Sequence, residues 1–121
     1  MKLKELLNTM DKEGVIHAGS EVNQAMVEIS NETRRLCAGL NNGIYTDEEI
    51  RRHMSGIIGQ VLDEGFSLFL PFTSDFGKNL KIGKHVFINS GCRFQDQGGI
   101  TIGDESLIGH NVVFATINHD Y

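Results

Sequence analysis

The sequence has no tryptophan, one proline and two cysteines in 121 residues. The cysteines, Cys37 and Cys92, stand in segments of different character. They form neither a disulfide framework nor the paired spacing of a zinc site, so they read as reduced thiols used as small apolar residues. No run of uncharged apolar residues approaches the roughly 20 needed to cross a bilayer. The first residues, Met1-Lys2-Leu3-Lys4-Glu5, lack the apolar stretch and small-residue cleavage site of a secretory leader. The net charge is −5, without a basic cluster, which argues against nucleic acid as a partner. One soluble, cytoplasmic domain with a modest core is expected, with no membrane partner.

What is present divides at the lone proline, Pro71. Residues 1–70 read as a helical cap. Leu3, Leu6, Leu7 and Met10 fall on one face of a short first helix. Gly14 to Gly19 interrupts it, and Ser20 is placed to cap a second helix. Val22, Met26, Ile29, Leu36 and Leu40 make that helix's apolar stripe, and Asn41-Asn42-Gly43 stops it. Thr46-Asp47-Glu48-Glu49 is a capping box that opens a third helix, with Ile50, Met54, Ile57, Ile58 and Val61 as its apolar positions.

Residues 71–121 carry a different period. Aligned in sixes, the chain reads Ile82-Gly83-Lys84-His85-Val86-Phe87, then Ile88 to Arg93, then Phe94 to Gly99. Ile100 and Thr101 intervene, and the frame resumes at Ile102, Ile108 and Phe114. The first position is always Ile or Phe. The second is Gly, Asn, Gln or Ala, which suits a tight corner. The fifth is small in most repeats and points inward. Each repeat therefore predicts a short strand and a sharp corner, and three repeats close a triangular turn of about 18 residues. Stacked turns pair parallel strands around a continuous aliphatic column. The fold class expected is mainly β with N-terminal helices: about two coils of parallel β-helix behind an α-helical cap.

Pro71-Phe72 with Asp75, Gly77 and Asn79, followed by Ile82-Gly83 and Val86-Phe87-Ile88-Asn89, resembles the hexapeptide-repeat sugar O-acetyltransferases of the maltose and galactoside type. So do Ile100 to Asp104, Ile108-Gly109-His110-Asn111-Val112 and the terminal Asn118-His119-Asp120. The resemblance implies a left-handed winding, against the usual right-handed crossover. It implies transfer of an acetyl group from acetyl-CoA to a hydroxyl of a sugar or similar small acceptor, within a homotrimer or higher homo-oligomer whose active site lies between subunits. The family's catalytic histidine falls on His119, and an imidazole of ordinary pKa about 6.5 suits a general base. Asp75 and Asn89 match acceptor-contacting positions, and Glu21 falls near an acceptor-contacting carboxylate. Gln97 replaces an acidic contact of a relative, and the adjacent Asp96 is the residue expected to substitute. Asp120 is open between orienting His119 and forming a turn.

A hexapeptide-repeat carbonic anhydrase would need three converging histidines. His85, His110 and His119 fall at the fourth, third and sixth repeat positions and point apart, so no metal is expected. Family members continue past Asn118-His119-Asp120 into further coils that carry acetyl-CoA. Stopping at Tyr121, the chain reads as C-terminally truncated, with an open strand edge that favours self-association. Two readings follow: an O-acetyltransferase, or a non-catalytic oligomerising remnant lacking the coils that hold acetyl-CoA.

Overall fold

The computed structural model describes residues 2–12 and 19–116. Three helices, α1 (Leu3–Lys12), α2 (Glu21–Asn41) and α3 (Asp47–Ile58), precede eight short strands. The strands are β1 (Ser67–Leu68), β2 (Phe72–Ser74), β3 (Leu80–Ile82), β4 (Phe87–Ile88), β5 (Cys92–Gln95), β6 (Ile100–Ile102), β7 (Leu107–Ile108) and β8 (Val113–Ala115). They lie in three parallel sheets, β1-β4-β7, β2-β5-β8 and β3-β6. The chain passes from one sheet to the next at each corner, which makes a coiled prism.

The helices start where the sequence marks them. Ser20 accepts the Asn23 N–H at the head of α2, and Thr46 accepts the Glu49 N–H at the head of α3. The Glu49 carboxylate bonds back to the Thr46 N–H, which completes the capping box. Gly59, in the left-handed region at φ 68°, ends α3. Two stripe residues differ from expectation. Leu36 is 37% exposed, while its neighbour Cys37 and Thr33 are buried; Val61, beyond the end of α3, is 91% exposed, and Leu62 is buried in its place. On a 21-residue helix the stripe drifts, and packing of α2 against β2 and α3 selects Cys37.

The turn is longer than expected. Residue 67 pairs with 87 and 87 with 107, so each turn takes 20 residues, not 18. Ile100-Thr101 is therefore no isolated slip. Leu80-Lys81 pairs with it one coil below. The two extra residues lengthen the corner that leaves the β2-β5-β8 sheet in both turns, ahead of β3 and β6. The prism also starts at Ser67, ahead of Pro71.

The corner conformation falls at the fourth repeat position, not the second. His85, Glu105, Asn111 and Gly91 all have positive φ. At the second position Gly83 serves another need: a Cβ there would lie 2.3 Å from Asp104 Oδ1 of the coil above. The first positions do point inward. Ile82, Ile88, Phe94 and Ile102 are buried in one cluster with Leu62, Leu68, Phe72 and Leu80. Phe94 stacks on Phe114 at 5.0 Å and meets Phe72 at 5.5 Å.

Side-chain amides close the lower end of the prism. Asn41, the last residue of α2, bonds both the N–H and the C=O of Phe72. Gln60 does the same for Ile82. Each amide takes the place of a strand below and blunts an edge. A second cluster, of Leu6, Met10, Val22 and Phe76, ties α1 and α2 to the first long corner.

Candidate acceptor groove

The long corners, residues 75–79 and 95–99, face the side of α2. Between them runs a groove of about 310 Å³. Asn23, Met26, Val27, Ser30 and Arg34 line its helical wall, a single stripe at i, i+3, i+4, i+7 and i+11. Asp75 and Gln97 line the coil wall, one from each corner.

The lower corner is held from every side. Asp75 N–H donates to Phe94 O at 3.0 Å, and Asn79 O accepts from the Ile100 N–H at 3.0 Å. The Thr33 hydroxyl donates to Phe76 O at 2.5 Å. Lys78 reaches α3 and donates to the C=O groups of Gly56 and Ile57, a cation at a helix C-terminus. Burial lowers the Lys78 pKa below its ordinary value, and the nearby Asp96 charge partly opposes that. Gly77 adopts φ 82°. Ser74, Lys78 and Asn79 spend their side chains on such internal bonds. Asp75 alone of the corner's polar side chains has no hydrogen-bond or ion-pair partner among the described residues, and it faces the groove.

The other residues singled out from the sequence lie elsewhere. Glu21 is exposed at the first turn of α2 and does not line the groove, whereas Asn23 does. Asn89 is half-buried at the corner between β4 and β5, with Oδ1 accepting the Ser90 N–H at 2.8 Å. That corner does not share the groove with Asp75.

Asp96 corrects the expectation of an acceptor contact. It is 0% exposed. Its Oδ1 accepts from Ser74 Oγ at 2.9 Å, Phe76 N at 3.0 Å and Gly77 N at 2.9 Å. Its Oδ2 accepts from Asn79 N at 3.1 Å. Gln97, the neighbour expected to have lost the role, is the residue that reaches the groove, and its Oε1 is buried without a partner. His119 and Asp120 lie outside the described residues.

Neither cysteine has the setting of a nucleophile. Burial pushes the Cys37 thiol above its ordinary value, and Cys92 is buried with Sγ 3.0 Å from Gly109 O. Among the described residues no group of three or more His, Cys, Asp or Glu side chains is arranged to hold a metal. His85 lies 3.8 Å from the Asp63 carboxylate, and His110 is exposed on a turn. Among the same residues no helix is long and apolar enough to cross a membrane.

No family model matches the chain. A Staphylococcus aureus protein (strain MRSA252), provisionally named an acetyltransferase, is 34% identical over 95 residues, 76% of this chain and 48% of its own length. The chain thus spans about half the length of the curated relatives it matches first. Among solved structures, the hexapeptide-repeat acetyltransferase VCA0836 of Vibrio cholerae superposes with a TM-score of 0.76 at 28% identity, over 98% of this chain and 60% of that one. A second structure of the Vibrio cholerae protein holds acetyl-CoA, with a TM-score of 0.65 at 26% identity, over 89% of this chain and 56% of that one. A maltose O-acetyltransferase of Clostridium difficile 630 shares the fold, with a TM-score of 0.81 at 23% identity, over 94% of this chain and 59% of that one. The three helices and parallel coils match the left-handed hexapeptide-repeat β-helix of those neighbours.

Proposed function

We propose that the chain carries the acceptor-binding part of an acetyl-CoA-dependent O-acetyltransferase acting on a sugar or similar hydroxylated molecule in the cytoplasm. One observation carries this reading. The side chains of Asn23, Ser30, Asp75 and Gln97 converge on one groove, and none has an intramolecular hydrogen-bond partner among the described residues. Polar groups left unpaired in a cleft await a ligand rich in donors and acceptors, and Met26 and Val27 offer an apolar strip for the C–H face of a ring. Similarity to the acetyltransferases above supplies the reaction type.

In the proposed reaction the acceptor hydroxyl attacks the thioester carbonyl of acetyl-CoA. His119 takes the hydroxyl proton as the C–O bond forms. The C–S bond breaks, and CoA leaves as the thiol with that proton. The role of His119 rests on the Asn118-His119-Asp120 motif. Corner N–H groups of the prism are candidates to hold the oxyanion. Asp75 is assigned to the acceptor, and Asn89 to the acceptor held by another copy.

The separate corners of Asp75 and Asn89 favour an active site between subunits of a homotrimer, because a site using both needs a second chain. Phe69 supports the same arrangement. It is register-equivalent to Asn89, is 56% exposed, and packs edge-on to Phe87 at 4.9 Å, an apolar surface beside Asn89.

A thiol-release assay with acetyl-CoA and a panel of sugars tests the proposal. CoA release should require the acceptor, and His119→Ala should lower it by roughly 10²–10⁴-fold. Release at an undiminished rate in His119→Ala would remove the general-base assignment. Sedimentation should return a trimer.

A further inference from the structure

We infer that Asp96 is a positioning residue: its buried carboxylate templates the corner 75–79 and so aims Asp75 into the groove. The inference rests on the reading of that groove as an acceptor site.

All four groups that meet the Asp96 carboxylate are donors: Ser74 Oγ and the backbone N–H groups of Phe76, Gly77 and Asn79. All four belong to the corner or to the residue that enters it. An ionised carboxylate is the side chain that accepts at both oxygens and donates at neither. An asparagine would turn an N–H toward one of these donors. Among the described residues no cation forms an ion pair with Asp96; Lys78 spends its ammonium on α3. A fully buried carboxylate without an ion-pair partner is costly to desolvate, so its presence calls for a reason beyond closing a turn.

The coil above supplies an internal control. By the 20-residue register, Thr116 stands over Asp96 and the corner 95–99 over 75–79. There the Thr116 hydroxyl donates to Gln95 O and accepts the Gly98 N–H at 3.0 Å, with Gly99 at φ 90°. A corner of the same length, with a different path and its positive φ at Gly99 rather than at the equivalent of Gly77, is thus built with a neutral hydroxyl and two glycines. The coil alone does not demand a charge at this register. The corner that receives one carries Asp75, whose side chain is left free. Its Phe76 is also locked into the α1–α2 cluster, which fixes the corner relative to the helical wall.

Two measurements on Asp96→Asn test this. Amide hydrogen exchange at Phe76, Gly77 and Asn79 should accelerate by about tenfold or more relative to the wild type, while Ile88 and Phe94 stay protected. In the acetyl-transfer assay with maltose as the probe, the acceptor KM should rise about tenfold or more, with the KM for acetyl-CoA and kcat held. A merely structural role would move both KM values and the core amides together. Unchanged corner amides, or a parallel loss for acceptor and acetyl-CoA, overturns the inference. If Asp96→Asn does not fold, Ser74→Ala removes one donor, keeps the carboxylate and is read by the same criteria with smaller effects. Wild-type protein that binds no sugar of the panel in calorimetric titration overturns the acceptor reading of the groove, while the exchange arm needs no substrate. The two failures are therefore distinguishable.

Discussion

Asn41 holds Phe72 by both of its backbone groups, donating to the C=O at 2.7 Å and accepting from the N–H at 2.9 Å. The last residue of α2 thereby stands in for a strand below β2. Asn41→Ala leaves both groups of a part-buried edge without a protein partner and should destabilise by about 1–3 kcal/mol. Asn41→Asp keeps one bond and sets a carboxylate oxygen against a carbonyl, so it should be no better than alanine. Denaturant titration checks both, with a lower midpoint and an unchanged slope expected.

Gly77 and Gly99 separate conformational strain from steric clash. Both have positive φ, 82° and 90°. A Cβ at Gly77 would lie 2.9 Å from Ile57 O and 3.1 Å from Thr33 Cγ2, whereas at Gly99 the nearest atom is 3.4 Å away. Gly99→Ala should cost roughly 1–2 kcal/mol for the backbone alone. Gly77→Ala should cost more, because the blocking atom is backbone of α3. Thermal unfolding of the pair checks the order.

Much of this architecture is legible in the sequence, and its failures have physical causes. The inward first positions, the capping box and both ends of α2 follow from local chemistry. The 20-residue turn does not, because the lower coil enters its frame through Leu62, Leu68 and Ser74, and a serine at the third place hides the repeat. The groove could be read only in part. Asp75 is singled out by the family resemblance of its motif, and it lines the groove. Asp96 and Gln97 are adjacent, and the local path of the corner decides which turns inward. Only the structure shows four donors gathered around Asp96. Asn23, Ser30 and Arg34 carry no signal as single residues. Their spacing on one helical stripe was the available clue, and it needed the coil opposite to give it meaning.

Glu49 gives the helical cap an acid-sensitive component. Its carboxyl is held below the ordinary value of 4.5, first by the Thr46 backbone N–H and then by the Thr46 hydroxyl. An acid with a depressed folded-state pKa contributes stability that is present above its unfolded value and lost as pH falls through the folded one. Stability should therefore fall with acid below about pH 4.5, partly through this group. In Glu49→Gln the amide can still bond Thr46, but that part of the slope disappears. Unfolding curves of the two proteins should converge as the pH is lowered.

Asp75 and Asp96 offer a test of how the groove is organised. If Asp75 contacts the acceptor, Asp75→Asn removes a charge-assisted hydrogen bond, about 1.5–3 kcal/mol or roughly 10–150-fold in acceptor affinity. The corner amides should keep their protection, since the Asp75 side chain has no partner within the corner. If Asp96 acts through Asp75, its substitution should matter only while Asp75 is there to be aimed. In an Asp75→Asn background, Asp96→Asn should then cost little further acceptor affinity, although it still accelerates exchange at Phe76, Gly77 and Asn79. The double-mutant cycle on acceptor affinity should thus show a coupling close in size to the single Asp96→Asn effect. Additive losses would mean that the two carboxylates act separately, with Asp96 supporting the groove wall as a whole rather than aiming one residue of it.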